Sequence, residues 1–444
     1  MTPSPATATS SYIAALEAFE KDGFNQDPGW TRALRKEAIA RFSELGFPTA
    51  RRGNEEWKYT DVGPIAQAPF RPPTAPGVAK LGASALKRFT FGERRWHRLV
   101  FVDGSFNQRL SFLSALPTGV KVLNLAEALK SRSTLVREHL AGHADYSNQA
   151  FTALNTAFVH DGAFVHIPDG AVVEEPIHIL FLTTSREKDT VSHPRVLVVT
   201  GRHSKTTIIE SYGGLTDARY LSNAVSEVVV GPGASVEHYR IQRHTEEAYH
   251  VGTTQAVLGR DGHFSSVTFD LGGALVRNNL NVLMGDEGSS CMLNGVYLVT
   301  RSQKIDNQVT IDHAKAHTTS RELYKGVLDG QSKAVFHGSI IVRRDAQKVD
   351  ARQEDKNLLL SDQAEANIKP AFWIYADDVK CGHGAATGRL DESTLFYLRS
   401  RGLSEDDAQS LLVRGFVNEV IETISCDPLR AHIGDLVTAT LQEL

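Results

Sequence analysis

The sequence is poor in cysteine. Its 444 residues include only 3 cysteines, Cys291, Cys381 and Cys426, and they lie far apart. A disulfide framework or a self-contained four-cysteine metal site needs more thiols at closer spacing. The sequence therefore excludes a small disulfide-stabilised domain. A metal or cluster site in this protein would need other ligand types or ligands from a second chain.

The sequence also lacks an excess of one charge and any long apolar run. Lys plus Arg total 48 and Asp plus Glu total 52, giving a formal net charge of −4. This balance argues against a dedicated nucleic-acid binder, which would normally be clearly basic. No stretch approaches the ~18–20 apolar residues that a membrane span needs. Residues 1–11 are small and polar, and no arginine precedes Arg32, so we expect no targeting signal and a cytoplasmic location.

Common catalytic motifs are missing as well. The sequence contains no GxxxxGK[ST] loop, no GxSxG elbow and no HExxH pair. The adjacent Asp377 and Asp378 would point to opposite faces if they lie on a strand, so they make a poor pair of catalytic carboxylates. His313 and His317 are four residues apart, but their surroundings do not predict a helix. We therefore expect turn or surface histidines there rather than zinc ligands.

What the sequence does contain is a helical beginning. Asp27 followed by Pro28 predicts a helix start, with Asp27 as the N-cap, and Gly46 with Pro48 predicts its end. Five prolines between residues 63 and 77 predict an extended linker. Strand and turn are expected over 98–106, and a second helical stretch over about 123–157.

From about residue 158 to 378 the pattern changes to short strands separated by glycine-containing turns. Several of these turns recur at intervals of roughly 25–30 residues, which is typical of a coiled array of strands. Too few helical segments separate the strands for a doubly wound sheet. The spacing favours a β-solenoid, and a large β-sandwich remains the alternative. The predicted strands are 163–167, 177–183, 195–199, 206–211, 227–230, 235–241, 252–258, 264–269 and 296–300; the turns are 168–170, 231–233, 259–262, 285–288 and 329–331.

The C-terminal segment is predicted to be helical again. Residues 404–407 have the spacing of a capping box, and a wide apolar stripe follows at helical intervals. This stripe either packs on the chain's own β core, or the helical tip also docks a partner subunit. Its members are Ala408, Leu411, Leu412, Phe416, Val417, Val420, Ile421 and Ile424.

The most distinctive local feature is the pair Cys381 and His383. If one strand runs through both residues, their side chains project from the same face. A thiolate and an imidazole together suit iron or zinc. Taken alone, the spacing is a weak signal and is more typical of a buried cysteine near a structural histidine. An iron–sulfur cluster usually takes four protein ligands, so most ligands of any cluster here would come from another subunit.

Several longer motifs around this pair are familiar. Together they closely resemble the SufB/SufD family of iron–sulfur cluster assembly proteins. They occur in the family's order and cover the helical start, the late β region and the C-terminal tip. The motifs are FPT at 47–49, EWKYT at 56–60, VFHG at 335–338, AQKVDA at 346–351, NLLLS at 357–361, KPAFWIYADDVKCGHGA at 369–385 and LFYLRSRG at 395–402.

Within that family the residues resemble the SufD branch. Gly382 and Gly384 flank His383, where SufB carries acidic residues, and SufB is typically longer and richer in cysteine. Ala386 and Thr387 depart from the usual SufD residues at a turn, which does not change the assignment. A SufB-like subunit that itself accepts sulfur is one alternative, and a carbohydrate-active β-helix enzyme is another. The latter lacks a convergent set of catalytic groups.

The resemblance implies a mainly β fold with a right-handed parallel β-helix core. We expect a mostly helical N-terminal region over 1–157, the β-helix over 158–388 and a C-terminal helical domain over 389–444. It implies a non-catalytic scaffold subunit in a complex with SufB and the ATPase SufC, which would dock on the C-terminal helices. A transient iron–sulfur cluster would form at the SufB interface, with His383 and Cys381 as candidate ligands. Flavin binding and a homodimer of the isolated chain remain open.

Overall fold

A parallel β-solenoid of about eight turns forms the core of the protein, and helices from both ends of the chain flank it. The computed structural model describes residue 12 and residues 27–50, 54–74, 81–91 and 95–441. The expected N-terminal tail at 1–11 and residues 75–77 of the expected linker lie outside these ranges. Within them, no helix is both long enough and apolar enough to span a lipid bilayer.

The longest α-helices of the described residues, with 17 residues each, lie near the two ends of the chain, and shorter α-helices lie between them and at the C-terminus. They are α1 (Gly29–Leu45), α2 (Gly63–Ala66), α3 (Ala83–Leu86), α4 (Leu125–Ser131), α5 (Ser133–His139), α6 (Ala150–Ala157), α7 (Glu392–Ser400), α8 (Glu405–Ile421) and α9 (Asp427–Leu441).

The strands belong to two sheets and alternate between them from Arg195 onward. They are β1 (His97–Val102), β2 (Ser105–Phe106), β3 (Lys121–Asn124), β4 (Ala163–Ile167), β5 (Ile177–Thr183), β6 (Thr190–Ser192), β7 (Arg195–Thr200), β8 (Lys205–Gly214), β9 (Tyr220–Val230), β10 (Ser235–Arg243), β11 (Tyr249–Leu258), β12 (His263–Asp270), β13 (Leu275–Met284), β14 (Ser290–Val299), β15 (Lys304–His313), β16 (Thr319–Leu328), β17 (Lys333–Val342), β18 (Val349–Leu359), β19 (Glu365–Ile374) and β20 (Val379–Gly388).

The two sheets establish the solenoid. The first sheet has the order β2-β1-β5-β8-β10-β12-β14-β16-β18-β20, and the second has the order β19-β17-β15-β13-β11-β9-β7-β4-β3. In the first sheet Ser235 pairs with His263, His263 with Ser290 and Ser290 with Thr319, at intervals of 27 to 29 residues. These intervals match the predicted spacing of the turns. The solenoid prediction is confirmed and the sandwich alternative is wrong, because successive turns pair in parallel rather than antiparallel.

Side chains that point inward stack from turn to turn and form the core. Val236, Phe264 and Cys291 occupy equivalent positions in three successive turns and are buried. Burial raises the pKa of the Cys291 thiol far above its ordinary value, so this cysteine is an inert core residue. The tight corners need left-handed backbone, which Gly233 (φ 65°) and Asp261 (φ 54°) supply.

Two details of the N-terminal region differ from expectation. Helix α1 ends at Gly46 as predicted, but Pro28 rather than Asp27 occupies its N-cap. The Asp27 carboxylate instead accepts a hydrogen bond from the buried Arg35, 2.5 Å away. This charge-assisted bond engages the carboxylate that was expected to accept a backbone N–H of the first helical turn.

The prediction of one helical stretch over 123–157 is also wrong, because this range is not one continuous helix. It begins with β3 and then breaks into α4, α5 and α6. The buried Glu227 carboxylate accepts hydrogen bonds from the backbone N–H groups of Ala141, His143 and Ala144, at 2.8 to 3.0 Å. Glu227 itself is paired with the buried Arg195. These bonds hold the chain in a loop where a helix would otherwise continue.

The C-terminal helices α8 and α9 pack on the outer face of the first sheet. Val413, Val417 and Val420 are buried there against strand residues such as Ile241 and Phe269. Nζ of Lys325 on β16 donates to the carbonyl of Phe416, 2.6 Å away, and fastens α8 to the sheet. The apolar stripe therefore covers the chain's own β core, as one of the two interpretations predicted. Leu411 differs from that prediction, since it is 48% exposed.

Candidate functional site

The last turn of the solenoid is open at its end. Within the described residues, β19 pairs only with β17 and β20 only with β18. Each strand is 10 residues long, so two long rows of backbone N–H and C=O groups face outward without a ladder partner. Such edges are a ready template for another β-chain.

Cys381 and His383 lie on β20, at this open end. The strand runs unbroken from Val379 to Gly388, so both side chains point to the same face, as their prediction required. Cys381 packs at the end of the solenoid core. The His383 ring contacts the Phe372 ring of β19, with centroids 4.7 Å apart. Both side chains therefore face the solenoid interior and remain reachable from its end, where no further turn covers them.

The electrostatic surroundings keep Cys381 in its thiol form. Partial burial raises the pKa of the thiol above its ordinary value, and the nearby Asp350 raises it further. A hydrogen bond with the Ala351 backbone acts in the opposite direction. Because thiolate is the metal-binding form, a ligand role for Cys381 would require a nearby positive charge that lowers this pKa.

A shallow cleft surrounds the pair. Its lining mixes both signs of charge with small residues, and it comprises Asp350, Arg352, Gln353, Glu354, Lys380, Cys381, Gly382, His383 and Gly384. A Cβ atom added at Gly382 would meet no described heavy atom within 4 Å, and one at Gly384 would lie 3.9 Å from Cγ of Glu354. Packing within the chain therefore does not require glycine at either position. The two glycines leave room for a surface that approaches from outside.

The described residues do not complete a metal site. Across residue 12, 27–50, 54–74, 81–91 and 95–441, no three His, Cys, Asp or Glu side chains converge as metal ligands. Cys381 and His383 thus form one side of a site at most.

The other candidate groups do not join this pair. His313 is buried, and its ring nitrogens contact the hydroxyls of Thr318 at 2.7 Å and Ser320 at 3.0 Å. His317 lies apart in an exposed turn. Asp377 and Asp378 lie in the bend before β20 rather than on a strand, which corrects the premise of the sequence argument.

The sequence did not indicate two groups of residues at the open end, one inside the cleft and one on the protein surface. Gln353 lies in the cleft, although its sequence surroundings, Arg352-Gln353-Glu354, are typical of an exposed strand. On β19 and just after it, Trp373 is 55% exposed and Tyr375 is 62% exposed. Large exposed aromatic side chains of this kind are enriched at protein interfaces.

Comparison with known proteins gives two family matches. Residues 181–416 match the model for the SufBD core domain of the SUF system for FeS cluster assembly. Residues 6–179 match the model for the SufBD protein N-terminal region. The chain belongs to the SufBD family of iron–sulfur cluster assembly proteins. The family that the motifs resemble is thereby confirmed, together with a role in SUF iron–sulfur cluster assembly.

Relatives match over nearly their whole length. An iron–sulfur cluster assembly SufBD family protein of Synechocystis is 32% identical over 412 residues, which is 91% of this chain and 90% of the relative. The iron–sulfur cluster assembly protein SufD of Escherichia coli is 27% identical over 418 residues, covering 94% and 93%. SufD of Bacillus subtilis is 26% identical over 429 residues, covering 93% and 94%. The SufBD core match spans the open end, with Cys381 and His383.

Proposed function

We propose that this chain is a SufD-type scaffold subunit that joins a SufB-type subunit end to end through the solenoid, so that a nascent iron–sulfur cluster forms at the junction. The observation that carries the proposal is the unpaired last turn, which presents Cys381 and His383 at its open end. In this arrangement ATP hydrolysis belongs to a SufC-type partner, and this subunit supplies structure and ligands.

The open end supports pairing with a second solenoid. Strand addition to β19 and β20 satisfies the exposed backbone groups, and the new strands stack on the last turn as each turn stacks on the next. Trp373 and Tyr375, both mostly exposed, then become buried at the junction. Gly382 and Gly384 allow the partner's backbone to come close to His383.

The ligand chemistry also fits a shared site. One thiol and one imidazole suit iron, and a four-ligand cluster needs the remaining ligands from the partner. The raised pKa of Cys381 disfavours the alternative in which this chain itself accepts sulfur, because an attacking or accepting cysteine works as a thiolate.

The C-terminal helices offer a second docking surface. Helix α7 has no buried residue among those described, and its Phe396 and Tyr397 are 75% and 55% exposed. Helices α8 and α9 pack their apolar faces on the sheet. They therefore fix the position of the neighbouring helix α7. We propose that the SufC-type ATPase binds this exposed surface.

The test of the cluster site is His383→Ala in the complex co-purified with SufB- and SufC-type partners. We expect the complex to stay assembled and the rate of cluster transfer to a target apoprotein to fall about tenfold or more. The matched control is His317→Ala, which changes an exposed turn histidine elsewhere on the solenoid. Maturation of target proteins at the wild-type rate by the His383 variant would show that this site assignment is wrong.

The docking surface is tested separately, by Phe396→Glu combined with Tyr397→Glu. Complete removal of residues 391–444 is a poor test, because it would expose the sheet residues that α8 and α9 cover. We expect the double variant to fold normally and to lose the ATPase on affinity purification. Tyr59→Glu, at an exposed aromatic residue on the N-terminal side, serves as the control. Unchanged recovery of the ATPase would refute docking through α7.

A further inference from the structure

Three polar side chains lie one behind another at the open end. The strand register pairs Glu322 of β16 with Gln353 of β18, and Gln353 with His383 of β20. Paired residues of parallel strands share a face and lie about 4.8 Å apart. Glu322, Gln353 and His383 therefore form one column that points into the solenoid interior and ends at the candidate site.

The two inner members of this column have unmatched hydrogen-bonding groups. Both carboxyl oxygens of Glu322 and both amide atoms of Gln353 lack a hydrogen-bond partner among the described residues. The side chains are almost wholly buried, since Glu322 is 4% and Gln353 is 1% exposed. Buried polar groups are normally paired, because an unpaired one destabilises the fold. The neighbouring Asn357 shows the usual case, with its amide bonded to Tyr297 and Asp355.

A glycine also lies opposite Gln353, and its missing side chain leaves space for the Gln353 amide. A Cβ atom added at Gly338, on the facing strand β17, would lie 1.4 Å from Nε2 of Gln353. Gly338 belongs to the VFHG motif at 335–338, which the proposed function leaves unexplained. The chain thus combines a glycine on one strand with an unpaired amide on the other, directly behind His383. This combination lowers stability and points to a role outside folding.

We propose that Gln353 is a positioning residue for His383, whose amide oxygen accepts the N–H of the imidazole when the other ring nitrogen binds iron. The inference deepens the proposed function and rests on it. A metal-binding histidine regularly donates its second ring N–H to a carbonyl or carboxylate, which sets the tautomer and the ring orientation. Gln353 and His383 line the same cleft, and Phe372 already restrains one side of the ring.

The Glu322 carboxyl lies behind the Gln353 amide, in surroundings that favour its uncharged form. Burial raises the pKa of the Glu322 carboxyl well above its ordinary value, Asp355 raises it further and Gln353 partly offsets this. Burial therefore disfavours a negative charge on Glu322 behind Gln353. In this arrangement Gln353 and Glu322 orient the His383 ring and do not themselves bind iron.

The experiment replaces Gln353 with methionine, which keeps the length of the side chain and removes its amide. Ferrous iron binding to the complex with SufB- and SufC-type partners is measured by competition with a chelator, and thermal unfolding is measured on the isolated chain. We expect 10- to 100-fold weaker iron binding. Because an unpaired buried amide is removed, we expect the unfolding temperature to stay the same or rise. Gln353→Glu, which keeps the acceptor oxygen, should restore binding to within a few-fold of wild type.

Gln242→Met is the matched control. Gln242 is another fully buried interior glutamine of the first sheet, but its amide is bonded to the Gly272 carbonyl and lies far from the open end. This variant should lower the unfolding temperature and leave iron binding unchanged. A purely structural role for Gln353 predicts the same pattern for Gln353→Met.

The outcomes separate the two proposals. Iron binding within twofold of wild type in Gln353→Met, together with strong loss in His383→Ala, overturns the positioning role and leaves the proposed function standing. Unchanged binding in both variants overturns both. If Gln353→Met lowers the unfolding temperature as Gln242→Met does, the amide serves the fold and the positioning role is wrong.

Discussion

One buried arginine binds the N-terminal motif EWKYT (residues 56–60) to the solenoid. Replacing that arginine should detach the motif from the solenoid. Arg277 on β13 is fully buried, and its guanidinium lies 3.7 Å from the centre of the Trp57 ring. Its Nη1 donates to Oδ2 of Asp306 at 2.7 Å and to the carbonyl of Glu56 at 2.8 Å. Its Nη2 donates to Oε1 of Glu56 at 3.0 Å.

The magnitude follows from what Arg277→Met leaves behind. The Asp306 carboxylate stays buried, at 2% exposure, with the hydroxyl of Thr60 and the amide of Gln308 as remaining donors. Breaking a buried ion pair from one side costs about 3–5 kcal/mol, because the other charge remains uncompensated. A second change, Asp306→Asn, removes that charge and keeps an acceptor for Thr60. The double variant should therefore be more stable than the sum of the single changes, by about 1–3 kcal/mol.

Urea unfolding followed by tryptophan fluorescence measures these differences, and limited proteolysis within 54–60 reports local release of the motif. Arg260→Met is the control, because the ion pairs of Arg260 with Asp286 and Glu287 are exposed, and such pairs contribute little. The reasoning is refuted if Arg277→Met is no more destabilising than Arg260→Met. Strict additivity in the double variant would equally contradict it.

Three further outcomes follow from the buried titratable groups. Three histidines have folded-state pKa values lowered by burial to about 3: His178, His193 and His244. As the pH falls, these histidines take up protons in the unfolded chain near pH 6.5, well before they do so in the folded chain. The free energy of unfolding should therefore fall between pH 6.5 and 3, by ~2 kcal/mol per histidine at pH 5. An unchanged urea midpoint from pH 7 to 5 would contradict this. Burial raises the pKa of Asp355 to about 7, so this carboxyl opposes the loss, and Asp355→Asn should steepen the acid dependence in the same titration. Mass spectrometry after thiol alkylation should show Cys381 modified well before the buried Cys291, at a rate that increases with pH; equal labelling would be inconsistent with the fold.

The sequence predicted those parts of the fold that depend on local pattern. The recurrence of turns near residues 231, 259 and 285 follows from backbone geometry at each corner, which only a few residue types accept. The strand through Cys381 and His383 has a period of two, so their common face could be inferred without the fold. The loop over 140–149 could not, because the carboxylate that holds it, Glu227, lies more than 80 residues away in sequence.

The hidden part of the candidate site was missed for a related reason. Arg352-Gln353-Glu354 is polar throughout, and such a run is typical of a strand that faces solvent on both sides. Only the register with Glu322 and His383 shows that Gln353 is buried. The glycine at 338 was a usable signal, but its meaning depends on which side chain faces it across the solenoid.

The two ends of the solenoid differ, and the difference sets the last turn, which carries the candidate site, apart from the first. At the start, the sheets finish in short antiparallel edge strands, β2 with 2 residues and β3 with 4, a regular device against unwanted pairing. At the other end both edge strands keep 10 residues, and α8 and α9 cover the flank of the first sheet rather than the end. A stacked array needs a polar cap or a neighbour on its terminal turn. Among the described residues the last turn has neither, and the exposed aromatics, the glycines with free space and the His383 column all belong to it. These features support the proposal that a partner completes the fold here and that Cys381 and His383 form a complete site only together with it.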